Sequence, residues 1–144
     1  MGAAGSGITF RYNGMWLSEN SLLSISGSHF DLSSTEQANT PFYALRGGVL
    51  YLSSDNTVSG GSLNSLFYAR EAGVIMAYAM TALEEISCAT AVVRVVSGGV
   101  VSMNAAVLPE NVIGPKYRME GGIYNRVING PGTEKGIMFV GSCR

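Results

Sequence analysis

The chain has 144 residues and a formal net charge of −1; 47% of its residues are hydrophobic and only 13% are charged. This length favours one domain with a sizeable core, and the apolar content excludes an intrinsically disordered chain. The few basic residues are scattered and form neither a stripe for phosphate groups nor a cluster for anionic lipids. We therefore expect neither nucleic acid nor a membrane as a partner.

The N-terminal residues 1–7 are small and uncharged (MGAAGSG). They lack the basic and apolar regions of a signal peptide, and their match to the myristoylation pattern is too short to favour acylation. We expect residues 1–7 to form a flexible arm and residues 8–144 to form a single β-sandwich domain. Gly2, Ala3 and Ala4 are the candidates for contacts between this arm and a partner.

Short segments rich in β-branched and aromatic residues follow, separated by glycine, serine and asparagine. Roughly nine to eleven strands at this spacing predict an all-β fold, namely an antiparallel jelly roll or a related Greek-key β-sandwich. An immunoglobulin-like sandwich is the alternative, but Trp16 lies too near the start for the Cys–Trp–Cys spacing of that fold. Residues 78–87 add at most one short helix. The apolar run at residues 72–83 is shorter than the roughly 20 residues that a membrane helix needs.

The segment Ala89–Leu108 (ATAVVRVVSGGVVSMNAAVL) is predicted to form a hairpin around Gly98-Gly99, and the register of such a turn defines two faces. The first is the expected core face and holds Val92, Arg94, Val96, Val101, Met103, Ala105 and Val107. The second face holds Ala91, Val93, Val95, Ser102, Asn104 and Ala106. Arg94 does not suit a core, so we expect it at an edge or in an ion pair.

The second face of this hairpin is neither clearly polar nor clearly a core face, whereas a sheet surface that faces water usually alternates apolar and polar residues. Residues 74–80 alternate just as poorly. We therefore expect another copy of the chain to cover the second face, with Val93, Val95, Ser102 and Asn104 at the interface. This arrangement predicts a cyclic homo-oligomer, such as a trimer.

Candidates for catalysis are few. His29 and Asp31 share one face of a predicted strand, but no nucleophile motif accompanies them. Glu84 and Glu85 would point to opposite faces of a strand, which does not suit a glycosidase. The single histidine and the two distant cysteines do not resemble a metal site, and no glycine-rich phosphate loop occurs. The sequence therefore predicts a protein without enzymatic activity, cofactor or metal.

The cysteines and tyrosines leave alternatives open. Cys88 and Cys143 could form one disulfide or remain two buried thiols, and free thiols are favoured. The seven tyrosines occur on nearly every predicted strand. They could line a sugar-binding or protein-binding surface, although a structural role in the core and its rim is favoured.

In composition and strand rhythm the whole chain resembles small virion structural proteins, nearest to the jelly-roll cement or decoration proteins of tailed bacteriophages. The shared features are the MGAAGSG arm, the abundance of glycine and serine, and a body rich in tyrosine and poor in lysine. The resemblance implies a trimer in the virion, assembled in the host cytoplasm, that clamps neighbouring subunits of the major capsid protein or another virion protein. The alternative is a receptor-binding or carbohydrate-binding tip domain of a tail fibre or similar assembly.

Overall fold

The computed structural model describes residues 7–9, 15–33, 40–53, 55–78, 80–104, 111–126, 132–133 and 137–140. Its strands, numbered in chain order, form three sheets. Sheet A contains β1 (Gly7–Thr9), β4 (His29–Asp31), β7 (Thr57–Ser59) and β10 (Thr81–Ala82). Sheet B contains β2 (Met15–Leu17), β5 (Phe42–Leu45), β8 (Ser62–Arg70), β11 (Ile86–Val96), β13 (Val112–Ile113), β14 (Tyr117–Glu120) and β16 (Gly132–Thr133). Sheet C contains β3 (Leu22–Ile25), β6 (Val49–Leu52), β9 (Val74–Tyr78), β12 (Val100–Asn104), β15 (Ile123–Arg126) and β17 (Ile137–Val140).

The chain passes through the three sheets in turn and then repeats, so that each coil stacks on the preceding one. The strand pairs described in all three sheets are parallel. This architecture is a β-solenoid. The predicted antiparallel jelly roll or Greek-key β-sandwich is therefore wrong, as is the immunoglobulin-like alternative. The described residues are all-β and contain no helix.

Tight turns carry the chain from sheet B to sheet C. In the turn from Val96 to Gly99, Ser97 and Gly98 both have positive φ, and the Gly99 amide donates to the Val96 carbonyl at 3.1 Å. Such a turn usually closes a hairpin. Here the next amide, that of Val100, instead donates to the carbonyl of Gly73 in the preceding coil, at 2.9 Å. The chain therefore enters a different sheet.

The predicted Ala89–Leu108 hairpin is wrong for the same reason, because β11 and β12 belong to different sheets and do not share one register. In β11, Val93 and Val95 are fully buried while Arg94 and Val96 are partly exposed, which reverses the faces predicted for these four residues. Val92 is buried as predicted. In β12, Val101 and Met103 are buried as predicted. Residues 105–108 lie outside the described residues. In β11 and β12, the side chains on the inner side of the sheet to which each strand belongs are buried.

The core lies between the three sheets and is built from stacked rows of like side chains. In sheet B, the rings of Phe42 and Phe67 of the next coil are stacked with their centres 5.5 Å apart. The ring of Phe30 in sheet A meets the Phe42 ring edge-on, with 5.0 Å between their centres. In sheet C, Leu50, Ile75, Val101 and Tyr124 form one inward row and are all fully buried. In-register stacking places each apolar side chain on its counterpart, so burial rises with every coil.

Asn56 lies at the turn where the chain passes from sheet C to sheet A. Its side chain is fully buried, and its Nδ2 donates to the carbonyls of Ile25 (3.1 Å) and Ser53 (2.8 Å). Its Oδ1 accepts from the Ser28 amide at 3.0 Å. A buried amide is tolerated when its donors and acceptor are paired in this way. Asn56 therefore ties two successive coils together.

Candidate functional site

The outer side of sheet C is an apolar surface without charge among the side chains described there. We call it the apolar face. One row runs across five coils at a single register position, and a second row lies beside it with Tyr78 at its edge. The first row is Leu22, Val49, Val74, Val100 and Ile123, and the second is Ser24, Tyr51, Met76 and Ser102. Leu22 is 72% exposed. Such a face on a folded chain is typical of an interaction surface.

The outer side of sheet B has a different chemistry, with tyrosines and arginines in one row. Tyr43, Tyr68, Arg94 and Arg118 occupy equivalent positions in four successive coils. The rings of Tyr43 and Tyr68 stack 4.8 Å apart, and the Arg94 guanidinium lies 4.5 Å from the centre of the Tyr68 ring. We call this row, with its neighbours Arg70 and Glu120, the Tyr–Arg face. The two stacked rings therefore cover one face of each other, and Tyr43 is only 9% exposed.

Three of the four arginines on or beside this row contact a glutamate. Arg46 and Arg70 both contact Glu71, the former at 3.2 Å, and Arg118 contacts Glu120. The hydrogen bonds from Arg70 and then Arg46 lower the pKa of Glu71, and the bond to Glu71 raises the pKa of Arg70. Burial raises the pKa of Tyr43, and the nearby Arg70 opposes that rise. Among the described residues, Arg94 has no ion pair, and its buried Nε has no hydrogen-bond partner.

His29 and Asp31 lie on the outer side of sheet A and share a face, as the sequence predicts. The imidazole Nδ1 lies 2.8 Å from the Thr57 Oγ1, and its Nε2 lies 3.0 Å from the Ser59 Oγ. Asp31 accepts from the amide and the hydroxyl of Ser33, and these two bonds lower its pKa. A hydroxyl thus sits beside a base, but Thr57 takes the position at Nδ1 where a catalytic triad places a carboxylate. Ser59 is 30 residues from His29, so no local motif could reveal this contact.

The predicted interface residues are separated by the structure. Val93 and Val95 lie in the core with no exposed surface, so their side chains contact the chain itself. Ser102 lies on the apolar face, and Asn104 ends β12 at the register position of Tyr78. Gly2, Ala3 and Ala4 lie outside the described residues. On β12 the predicted face includes Ser102, which is partly exposed, whereas on β11 the predicted face is the buried one.

Other candidate centres are absent from the described part of the chain. Glu84 and Glu85 are exposed, and no group of three histidine, cysteine or acidic side chains there could hold a metal ion. Cys88 is a buried free thiol whose pKa is raised by desolvation to about 12, while Cys143 lies outside the described residues. No helix in that part has the length and apolar character to cross a membrane. Comparisons of the chain with family models, curated proteins and solved structures gave no match.

Proposed function

We propose that this chain is a non-enzymatic structural module that associates with a second copy of itself through the apolar face. The observation that supports the proposal is one apolar row that keeps at least part of its surface in solvent over five coils, namely Leu22, Val49, Val74, Val100 and Ile123. The neighbouring coils cover these outward side chains only in part. Apolar residues there gain free energy only by meeting another surface.

A second copy suits this face better than a charged partner does. The described side chains of the apolar face carry no charge, so two copies meet without repulsion and without burying an unpaired ion. Two sheets can also pack face to face with their strands nearly aligned, as in sandwiches. The expected homo-oligomer thus becomes a face-to-face pair of solenoids. A trimer, a virion location and a capsid partner remain untested predictions from the sequence.

The size of the face sets the expected strength of association. Five strands about 4.8 Å apart, with about four residues each, span a flat area of roughly 300 Å². A standard stable interface buries about 800 Å² on each partner. At ~25 cal/mol per Å², the apolar burial only modestly exceeds the cost of association. We therefore expect reversible association that depends on protein concentration, rather than a permanent oligomer.

A charge placed in the middle of the face tests this proposal. Val74→Lys should weaken self-association about tenfold or more, because the pair would bury an unpaired ammonium group. Sedimentation equilibrium over a range of concentrations measures the change. Thr81→Lys is the matched control, since it adds the same charge at an exposed position on sheet A and should associate like the wild type. A wild-type chain that stays monomeric throughout, or equal association by Val74→Lys, would contradict the proposal.

A further inference from the structure

The Tyr–Arg face carries an unneutralised positive charge at its centre. Arg70 shares Glu71 with Arg46 at the corner, Arg118 contacts Glu120, and Arg94 has no ion pair among the described residues. The glutamates contact three of these arginines and leave out Arg94. On the Tyr–Arg face itself, the arginine without a paired carboxylate is therefore Arg94.

Arg94 and Arg118 occupy directly opposite positions on adjacent strands. Such positions are about 5 Å apart, and like charges there repel each other. The Arg118 side chain is 48% exposed and forms an ion pair with Glu120, whereas the Arg94 guanidinium lies over the Tyr68 ring. An oxyanion lying between the two guanidinium groups would remove this repulsion. Guanidinium groups bind planar carboxylates through paired hydrogen bonds.

We propose that Arg94 and Arg118 bind a carboxylate group of an acidic polysaccharide that lies along the solenoid axis. The polymer is suggested by the repetition of the row from Tyr43 to Arg118, which places a side chain with a polar end at the same register position in each of four coils. The outer side of sheet B continues this polar character with the Asn64–Thr90 and Ser62–Ser87 pairs, the latter 3.1 Å apart. Hydroxyl and amide side chains suit the hydroxyl groups of a sugar.

A saccharide fits this face better than an acidic peptide. Extended peptides gain affinity by adding a strand to a free sheet edge, where backbone groups are unpaired. On the Tyr–Arg face, Tyr68 and Arg94 belong to β8 and β11, which are paired on both sides within sheet B. Their backbone groups are committed to these ladders. Recognition there must use side chains alone, and the stacked tyrosines present ring edges instead of pockets for apolar peptide side chains.

The test is calorimetric titration of the full chain with oligosaccharides of polygalacturonate, alginate and hyaluronan at low and high salt. We expect at least one to bind, with affinity that falls as salt rises and is lost when the carboxylates are methyl-esterified. Arg94→Gln should lower the affinity about tenfold or more, because a hydrogen-bonded ionic contact is lost. Arg46→Gln is the matched control, since Arg46 lies at the corner beside Glu71, and it should leave the affinity unchanged.

Circular dichroism checks that each variant folds, and Arg118→Gln replaces Arg94→Gln if the latter does not. Three results would overturn the proposal: no binding of any acidic oligosaccharide, equal binding of the esterified forms, or unchanged affinity in the folded Arg94 or Arg118 variant. Poly-L-glutamate that binds as tightly as the oligosaccharides would also overturn it, because the ligand would then be an acidic peptide. These outcomes do not depend on the apolar face, since Val74→Lys should bind like the wild type.

Discussion

Gly73→Ala should lower the free energy of unfolding by about 3–5 kcal/mol, which is much of the stability of a typical domain. A Cβ at this position would lie 2.2 Å from the Ala44 carbonyl oxygen and 2.6 Å from the Leu45 amide nitrogen. These are backbone atoms of the preceding coil and cannot rotate away. Bonds of 2.9 Å from Val74 to Gly48 and from Val100 to Gly73 fix the spacing of the coils at this corner. Urea unfolding followed by circular dichroism measures the loss.

Gly98→Asn is the control for this prediction. A Cβ at Gly98 meets no atom within 4 Å, and asparagine tolerates the positive φ of +79° better than most residues. The free energy of unfolding should therefore change by less than about 1 kcal/mol. If Gly73→Ala were as stable as Gly98→Asn, Gly73 would not lie against the backbone of the neighbouring coil. The parallel stacking would then be wrong at this point.

Phe67→Ala should also cost about 3–5 kcal/mol, because it opens a cavity in the centre of the core. Phe67 has no exposed surface and stacks on Phe42. Denaturant unfolding measures the cost, and Phe67→Leu is the control. Leucine keeps much of the buried volume, so its cost should stay below about 1.5 kcal/mol.

A double-mutant cycle makes the same test specific for neighbouring coils. Phe42→Ala and Phe67→Ala should be coupled by about 0.5–1.5 kcal/mol, as expected for aromatic rings in contact. Two single-variant costs that simply add would show that the rings do not touch. A Phe67→Ala cost below about 1 kcal/mol would show that this side chain is not in the core at all.

The strands of this fold are readable from the sequence, but their pairing is not. Short runs such as Val49–Leu52 are rich in β-branched and aromatic residues, and they are strands in the structure. Gly98-Gly99 lies between two such runs, and its turn has the backbone form common in hairpins. The partner of each strand depends on the amide after the turn, which bonds to another coil. The residues around the turn do not indicate which coil this amide bonds to.

The spacing of four glycines along the whole chain does distinguish the two folds. Gly48, Gly73, Gly99 and Gly122 follow one another at intervals of about 25 residues, each just before an apolar strand. In a β-solenoid this interval is the length of one coil. In a hairpin fold such glycines would each close a separate turn, as predicted for Gly98-Gly99. The repeat length distinguishes the two folds, and composition does not.

The candidate surfaces were predictable in part. Arg94 was correctly judged unsuited to a core, but the expected edge position or ion pair is wrong. β11 is paired on both sides, and Arg94 lies over the Tyr68 ring without an ion pair among the described residues. The weak alternation of residues 74–80 did indicate an exposed apolar surface, and Val74 and Met76 lie on the apolar face. Val93 and Val95 were assigned to a surface only because the hairpin register was wrong. A face of a solenoid combines residues of several coils, so no single segment reveals it.

Oxidation of Met76 is the most direct test of self-association through the apolar face, because Met76 lies on that face and is partly exposed in the single chain. Peroxide oxidation, followed by mass spectrometry of the Met76 peptide, reports whether another surface covers it. The buried Met80, Met103 and Met119 serve as internal references that should oxidise slowly at every protein concentration. We predict that oxidation of Met76 slows as the protein concentration rises through the association range. An oxidation rate of Met76 that is the same at all concentrations would contradict self-association through the apolar face.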